Sequence, residues 1–337
     1  MSYLDPLNSD SHTWLLEDSG PGLRYLALRD LVGLPEHDRE LEAARLAAYE
    51  QGPISTLLAE MNPAGYWVEP GPGYNPKYKS TVWAILLLAQ LGASIDMDER
   101  IAVACTYLLD HALNPAGQFS SNGPPSGTVD CLQGNLIWAL LELGSRDARL
   151  EQAVEWMART VTGEGLAPNT DRNAPLRYYA GKCGPGFACG ANNTLPCAWG
   201  AVKVMLAFSR LPDEWVTPLV RRAIHQGLDF LFSADPATAA YPTGYSDKPS
   251  RNWWKFGFPV FYVTDLLQLV EAVARLGHGQ DPRLTNAIST ILGKQDQQGR
   301  WALEYGYAGK TWLDFGPLKQ PNPWVTLRAL RTLKSIN

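Results

Sequence analysis

The chain has 337 residues, with 29 Lys and Arg against 34 Asp and Glu, which gives a formal net charge of −5. A mildly acidic chain without a basic block is not typical of proteins that bind nucleic acid or anionic membranes. Hydrophobic residues make up 45% of the chain, which favours a globular protein with a large core. No apolar run reaches the roughly 18 residues that a membrane span needs.

The segment at residues 1–6 lacks the basic and apolar stretches of a secretory leader, so we expect a cytoplasmic protein. Its five cysteines should then be reduced thiols. Clustered cysteines in that setting indicate a metal site or catalysis rather than disulfides. Twelve tryptophans are the most unusual feature of the composition.

Apolar patterning predicts two kinds of helix that alternate along the chain. Two N-terminal helices are expected near residues 22–31 and 37–50. Beyond them, helices with one wet face, such as 99–110, alternate with helices that are apolar nearly all round, as doubly buried helices should be. These inner helices are predicted at 80–91, 131–143, 197–209, 264–276 and 325–333.

Internal repeats support the same organisation. NPAGYW at residues 62–67 recurs as NPAGQF at 114–119, and the Leu-Gly pair at 91–92 recurs at 143–144, both 52 residues later. Repeated pairs of outer and inner helices form either a closed α/α toroid around a central cavity or an open solenoid. Closure is favoured because both ends carry inner-type helices. We therefore predict an all-α fold, an (α/α)6 toroid, as one domain over 1–337. Residues 1–50 would complete the ring and 51–337 would form the repeat units.

Residues 295–301, QDQQGRW, fit the pattern Q-x-x-x-G-x-W. This resembles the QW repeat of squalene and oxidosqualene cyclases and the repeats of protein prenyltransferase β-subunits. Residues 65–67 and 117–119 look like degenerate copies, and the segments 254–259 and 324–327 resemble a bacterial branch of these repeat proteins. The resemblance implies an (α/α)6 toroid with an aromatic cavity that often holds an isoprenoid chain. It does not fix the reaction.

Type II terpene cyclases protonate an alkene with a D-x-D-D motif at the start of an inner helix. The nearest match here, residues 96–99 (DMDE), should open an outer helix instead. There it is expected to act as a solvated N-cap, because acidic residues favour the helix N-terminus.

Cysteines mark the predicted starts of two inner helices. Counting back 13 residues from the helix-end positions 144 and 210 gives Cys131 and Cys197. Neighbouring helix axes lie about 8–10 Å apart, and Cys183 and Cys189 precede Cys197 in a loop that can reach the same mouth. Helix N-termini favour thiolates, which bind zinc. These four cysteines therefore predict a Zn²⁺ site, with apolar packing or a nucleophilic thiol as alternatives. Cys105 is expected to be ordinary core.

The resemblance bears on this site too. Protein prenyltransferases place zinc at the same ring, with an Asp and a Cys at one inner-helix start and a His at a later one. Asp130 and Cys131 resemble that Asp/Cys pair, although they are adjacent here. No His stands at 195–197, where cysteine would have to substitute.

Other candidates surround this ring. Asp265, 12 residues before Gly277, should start an inner helix and could ligate metal, act as acid or base, or cap the helix. Asp130, Asp265 and Tyr262 are therefore the candidate catalytic residues. Five aromatic residues could line a cavity for an apolar or cationic species or pack under long loops: Trp253, Trp254, Trp301, Tyr305 and Trp312.

The leading hypothesis is an enzyme resembling terpene cyclases and protein prenyltransferases. A thiolate-rich zinc site would lie at the mouth of an aromatic cavity and act on a small, partly apolar substrate, an isoprenoid by family resemblance. One alternative is a metal-free cyclase or lyase that uses Asp130 or Asp265 with Tyr262. The other is a toroid that binds a lipid or a protein without catalysis.

Overall fold

The computed structural model describes residues 9–17, 19–123, 127–167, 170–171, 173, 183–246 and 248–336. Within these ranges every regular element is a helix, and β-structure is limited to isolated bridges. The all-α prediction is confirmed. No described helix is long and apolar enough to cross a membrane. Residues 1–8, on which the expected absence of a leader rests, lie outside the described residues.

The predicted helices are found close to their expected bounds. Two of them continue as a π-helical turn, α2 through Leu28–Val32 and α11 through Ala274–His278. In chain order the helices are α1 (Ser9–Glu17), α2 (Pro21–Ala27), α3 (Arg39–Gln51), α4 (Pro53–Ala59), α5 (Thr81–Gln90), α6 (Glu99–Ala112), α7 (Asp130–Glu142), α8 (Arg149–Thr162), α9 (Ala198–Phe208), α10 (Pro218–Leu231), α11 (Leu266–Val273), α12 (Thr285–Leu292) and α13 (Pro323–Ile336).

The inner helices contact one another in the order of the chain. Helix α5 packs on α7, α7 on α9, α9 on α11, α11 on α13, and α13 returns to α2. Each inner helix also carries an outer partner, such as α6 on α5, α8 on α7, α10 on α9 and α12 on α11. In α5 every residue from Thr81 to Ala89 is buried, as a helix with neighbours on both sides requires. The arrangement is compatible with the predicted α/α toroid.

Outer helix α6 begins after Asp98. The Asp98 carboxylate accepts a hydrogen bond from the N–H of Arg100 at 3.0 Å. The acidic segment at 96–99 is thus the N-cap of an outer helix, and the expectation drawn from its position is confirmed.

The QW-type tryptophans are framework residues. Trp67 and Trp301 are fully buried. The indole N–H of Trp67 donates to the carbonyl of Leu57 at 2.8 Å, and that of Trp301 donates to the carbonyl of Ile291 at the same distance. Each tryptophan therefore fastens the turn after a helix to that helix's end, because a buried indole needs a partner for its N–H.

The 52-residue repeat is also visible in hydrogen bonds from backbone N–H groups to side chains. The N–H of Trp67 donates to Oγ1 of Thr81 at 3.1 Å, and the N–H of Phe119 donates to Oε1 of Gln133 at 2.9 Å. Each pair joins a turn to the inner helix 14 residues later. Phe119 keeps this contact although it has no indole, so the two turns are equivalent in structure as well as in sequence.

Candidate site at the N-terminal ends of the inner helices

A cavity of about 1100 Å³ lies where several inner helices begin. Tyr74 and Tyr78 reach it from the loop before α5, and Tyr262 reaches it from the loop before α11. The starts of α7 and α9 contribute Cys131 and Trp199. Its volume is slightly larger than that of typical small-molecule sites, and aromatic residues contribute to much of its wall.

Two glycines bring the starts of α7 and α9 together. A Cβ on Gly134 would lie 2.5 Å from the backbone carbon of Lys203, and one on Gly200 would lie 3.2 Å from Cβ of Asp130. Glycine is needed at Gly134 because a methyl group would collide with the opposite backbone. The sequence carries a signal for this contact, since C-x-x-G occurs at 131–134 and again at 197–200.

Asp130 occupies this junction in an unusual state. It is buried, and neither of its carboxyl oxygens has a hydrogen-bond partner among the described residues. Burial, with a further contribution from Cys189, raises the pKa of the Asp130 carboxyl well above its usual value. A buried carboxyl without a partner is costly, so this residue is a candidate for function rather than stability.

The four predicted cysteines gather around Asp130. Cys131, Cys189 and Cys197 line the cavity, whereas Cys183 is fully buried. The charges of Asp130, Cys189 and Cys131 all act on Cys183, which places it in the same group. We call Asp130 and these four residues the Asp130–cysteine cluster. Cys105 is buried in α6, away from the cavity lining, as expected.

Backbone pairing holds two of these thiols side by side. Ala188 and Pro196 form an antiparallel bridge, and the N–H of Cys197 donates to the carbonyl of Phe187 at 2.9 Å. The side chains of Cys189 and Cys197 are hydrogen-bonded to each other, and this bond, followed by burial, raises the pKa of Cys197. Burial, with Cys189 and Asp130, likewise raises the pKa of Cys131. The expectation that helix N-termini lower these pKa values is wrong, because burial and neighbouring acidic groups outweigh the helix ends.

Asp265 has a different environment. Its carboxylate forms a two-pronged ion pair with Arg328, at 2.9 and 3.0 Å. It also accepts the N–H of Gln268 at 2.8 Å and so caps α11. Of the three roles considered for Asp265, the cap is the one that its contacts show. Arg328 was not foreseen, because it lies 63 residues away on α13.

Lys203 was also missed by the sequence analysis. It is fully buried in α9, and its Nζ donates to Oε1 of Gln268 at 2.6 Å. Burial lowers the pKa of Lys203 to about 7, although the charge of Asp265 opposes this shift. A single lysine in the otherwise apolar run 198–208 is the signal that could have singled it out.

Tyr262 lies in the cavity wall. Its ring centroid is 5.4 Å from that of Trp83 and 6.0 Å from that of Tyr74. Burial, with Cys131 and Tyr74, raises its pKa well above the usual value. Its hydroxyl is therefore neutral at pH 7 and lies near the cysteines.

Of the five aromatic residues expected in the cavity wall, Trp253 is among its lining residues. The other four, Trp254, Trp301, Tyr305 and Trp312, are not. The indoles of Trp254, Trp301 and Trp312 instead donate to backbone carbonyls, of Ala237, Ile291 and Lys79 respectively. These three contacts fit the alternative interpretation of packing under loops. Residues that were not singled out complete the wall, namely Tyr74, Tyr78, Trp199 and Tyr241.

No protein-family model matches the chain, and neither does any curated protein. Among solved structures, a protein from Actinoplanes is similar over 94% of this chain and 90% of its own, with 14% identity and a TM-score of 0.43. The apo structure of the type II terpene cyclase MstE from Scytonema is similar over 83% of this chain and 94% of its own, with 14% identity and a TM-score of 0.32. Likeness at this level carries no conclusion about the reaction.

Proposed function

We propose that this chain is an enzyme that binds a small, partly apolar substrate in the aromatic cavity and acts on it with the Asp130–cysteine cluster. The observation that carries the proposal is the buried carboxyl of Asp130, which has no described hydrogen-bond partner and lies among thiols beside the cavity. The resemblance of the QW-type turns to those of cyclases and prenyltransferases supports an isoprenoid as the substrate class.

We further propose zinc as the cofactor. Among the described residues no three His, Cys, Asp or Glu side chains are arranged to hold a metal ion, so binding would require small side-chain movements. The chemistry of the donors fits, because thiolates and a carboxylate are ligands that Zn²⁺ accepts. Cys131, Cys189 and Cys197 would hold the ion with Asp130. A bound zinc ion would supply Lewis-acid activation of a thiolate, water or substrate group.

The cluster would gain a counter-charge from such an ion. Burial and neighbouring acidic groups raise the pKa values of Asp130, Cys131 and Cys197, which favours their protonated forms. Binding of a metal would displace their protons, since metal ligands must be deprotonated. It would also provide the partner that the Asp130 oxygens lack.

The cavity wall would position the substrate. The rings of Tyr74, Tyr78 and Trp199 present faces that suit an apolar chain or a cationic centre. Lys77 and Arg251 also line the cavity and would favour a substrate with an anionic end.

Metal content tests the zinc proposal. Protein purified without chelator should contain about one zinc per chain. The Cys131→Ser/Cys197→Ser variant should lose it, while Cys105→Ser, which changes a buried cysteine outside the cluster, should retain it. Elemental analysis of the three proteins is the measurement. A wild-type protein without zinc that also takes up none on addition would contradict the proposal.

A metal-free acid–base reaction is the second candidate. Asp130 lies between Val129 and Cys131, which both line the cavity, and Tyr262 faces the same space. Asp130 is not itself among the lining residues, so its side chain would have to move to bring the carboxyl within hydrogen-bonding distance of a bound substrate, where it could exchange a proton. Turnover of isoprenoid substrates that survives chelation but is lost in Asp130→Asn would favour this reaction over the zinc-dependent one.

A further inference from the structure

A second cavity, of about 550 Å³, lies at the opposite ends of the inner helices. Helix α7 shows the separation: Cys131 at its start lines the first cavity, and Glu142 at its end lines the second. These two positions are eleven residues apart in sequence, which corresponds to about 16 Å of helix. The two cavities are therefore distinct places in the fold.

Arginine is the main side chain of this second cavity, which we call the arginine pocket. Six arginines line it: Arg29, Arg45, Arg210, Arg275, Arg328 and Arg331. Several have a carboxylate of their own, since Arg210 pairs with Glu142 at 2.7 Å and Arg275 with Glu271 at 3.2 Å. The pair of Arg328 with Asp265 has been described above. In these three ion pairs the positive charge of the arginine is balanced by the negative charge of its carboxylate.

The arginines of the pocket outnumber the carboxylates that lie within ion-pair distance of them. Arg29 and Arg331 share a single carboxylate, that of Asp30. Nε of Arg331 is buried and has no hydrogen-bond partner among the described residues, and the same holds for Nε of Arg45. The other acidic residues of the lining, Glu36 and Asp96, are exposed to solvent. Burial, with the nearby charges of Arg29 and Arg275, lowers the pKa of Arg331, although the carboxylates of Asp30 and Glu271 oppose the shift.

We propose that the arginine pocket binds a small ligand through an oxyanion group, a carboxylate or a phosphate, with Arg331 and Arg45 as its principal donors. A guanidinium presents paired donors that match the two oxygens of such a group. Cations near helix C-termini also interact favourably with the helix dipole. That effect requires neither a cavity of this size nor a buried nitrogen without a described partner, and both are present here.

Titration calorimetry and thermal unfolding of the full-length protein test this proposal. Inorganic phosphate and succinate would be the probes, with sodium chloride at equal ionic strength as the reference. A ligand that binds the folded state raises the unfolding temperature in a saturable way. We expect this for at least one probe, and the stronger of the two identifies the oxyanion that the pocket prefers.

Variants locate the site. Arg331→Gln should weaken binding of the preferred probe about tenfold or more, as expected for the loss of hydrogen bonds to a charged group. Arg45→Gln should weaken it as well and serves as the second variant if Arg331→Gln does not fold. Arg222→Gln is the matched control. Arg222 lies on the outer helix α10 and forms an exposed ion pair with Glu164.

The absence of saturable binding by both probes would overturn the proposal. So would binding that is unchanged in every variant that folds. Loss of zinc in Cys131→Ser/Cys197→Ser with phosphate or succinate binding intact would show that the two sites are independent.

Discussion

Asp130 and Asp265 both stand at the start of an inner helix, and both are buried. Asp265 meets Arg328 in a two-pronged ion pair and accepts a backbone N–H from α11. Asp130 has no described partner for either oxygen. The starts of two inner helices therefore hold one carboxylate that is part of the framework, the N-cap Asp265, and one that is not, Asp130 in the first position of α7.

The two ends of the inner helices differ in the same way, because buried charges are mostly paired at one end, whereas the buried carboxyl of Asp130 has no described partner at the other. The arginine pocket sets arginines against carboxylates, so most of its charges are paired. The Asp130–cysteine cluster contains acidic groups only. The charge of the buried Lys203 acts on Cys131, but its ammonium group donates to Gln268. A buried acid that the fold has already satisfied is a structural element, whereas one left unsatisfied is available to a ligand.

The largest effect is expected for Asp265→Asn. The substitution would leave the Arg328 guanidinium buried beside an uncharged amide. Removal of one partner from a buried ion pair costs about 3–5 kcal/mol. The free energy of unfolding, measured by urea denaturation, should fall by that amount.

Replacement of the whole pair is the control for this prediction. Asp265→Leu/Arg328→Met removes both charges, and it should destabilise the protein less than Asp265→Asn does, because no uncompensated charge remains. Equal stability of Asp265→Asn and the wild type would contradict the framework role of Asp265 and remove its contrast with Asp130.

Periodicity and repeats predicted much of this architecture. Inner helices were expected at 131–143 and 197–209 and are found at Asp130–Glu142 and Ala198–Phe208. Such helices are visible in sequence because burial on all sides removes the polar face that marks an outer helix. The convergence of the cysteines followed from the same counting, since it depends only on where the helices begin.

Partners across the ring could not be predicted in this way. Arg328 lies 63 residues from Asp265, and Arg331 reaches Asp30 from the other end of the chain. Hydrophobic periodicity places each of these residues on its own helix but does not say which side chain of another helix it meets. For the same reason Trp254 and Trp312 were expected in a cavity, whereas their N–H groups bind backbone carbonyls in loops.

Acid should weaken the ion pairs that Asp30 forms in the arginine pocket. Burial alone would raise the pKa of Asp30, but the charges of Arg331 and Arg29 outweigh it and lower the pKa from 3.8 to about 2. A depressed pKa contributes stability that is present above pH 4 and is lost as the pH falls towards 2. The contribution corresponds to about 2 kcal/mol.

Urea unfolding of the wild type and Asp30→Asn across this pH range measures the effect. Asp30→Asn should be less stable than the wild type at neutral pH, and the difference should shrink as the pH falls below 4, because protonation removes the same charge from the wild type. A difference that stays constant with pH would show that Asp30 contributes no titrating ion pair.

The smallest effect on stability is expected for Asp130→Asn, although it is the substitution that bears most directly on function. Asparagine has nearly the same shape, and no described hydrogen bond to the Asp130 carboxyl would be lost. We expect the unfolding free energy of the chelated protein to change by less than about 1 kcal/mol. Urea denaturation with chelator present, alongside Asp265→Asn, measures the contrast.

With zinc added, the wild type should gain more stability than Asp130→Asn, because the variant lacks one ligand. A loss in Asp130→Asn as large as that in Asp265→Asn, already present in the chelated protein, would instead make both acids parts of the framework.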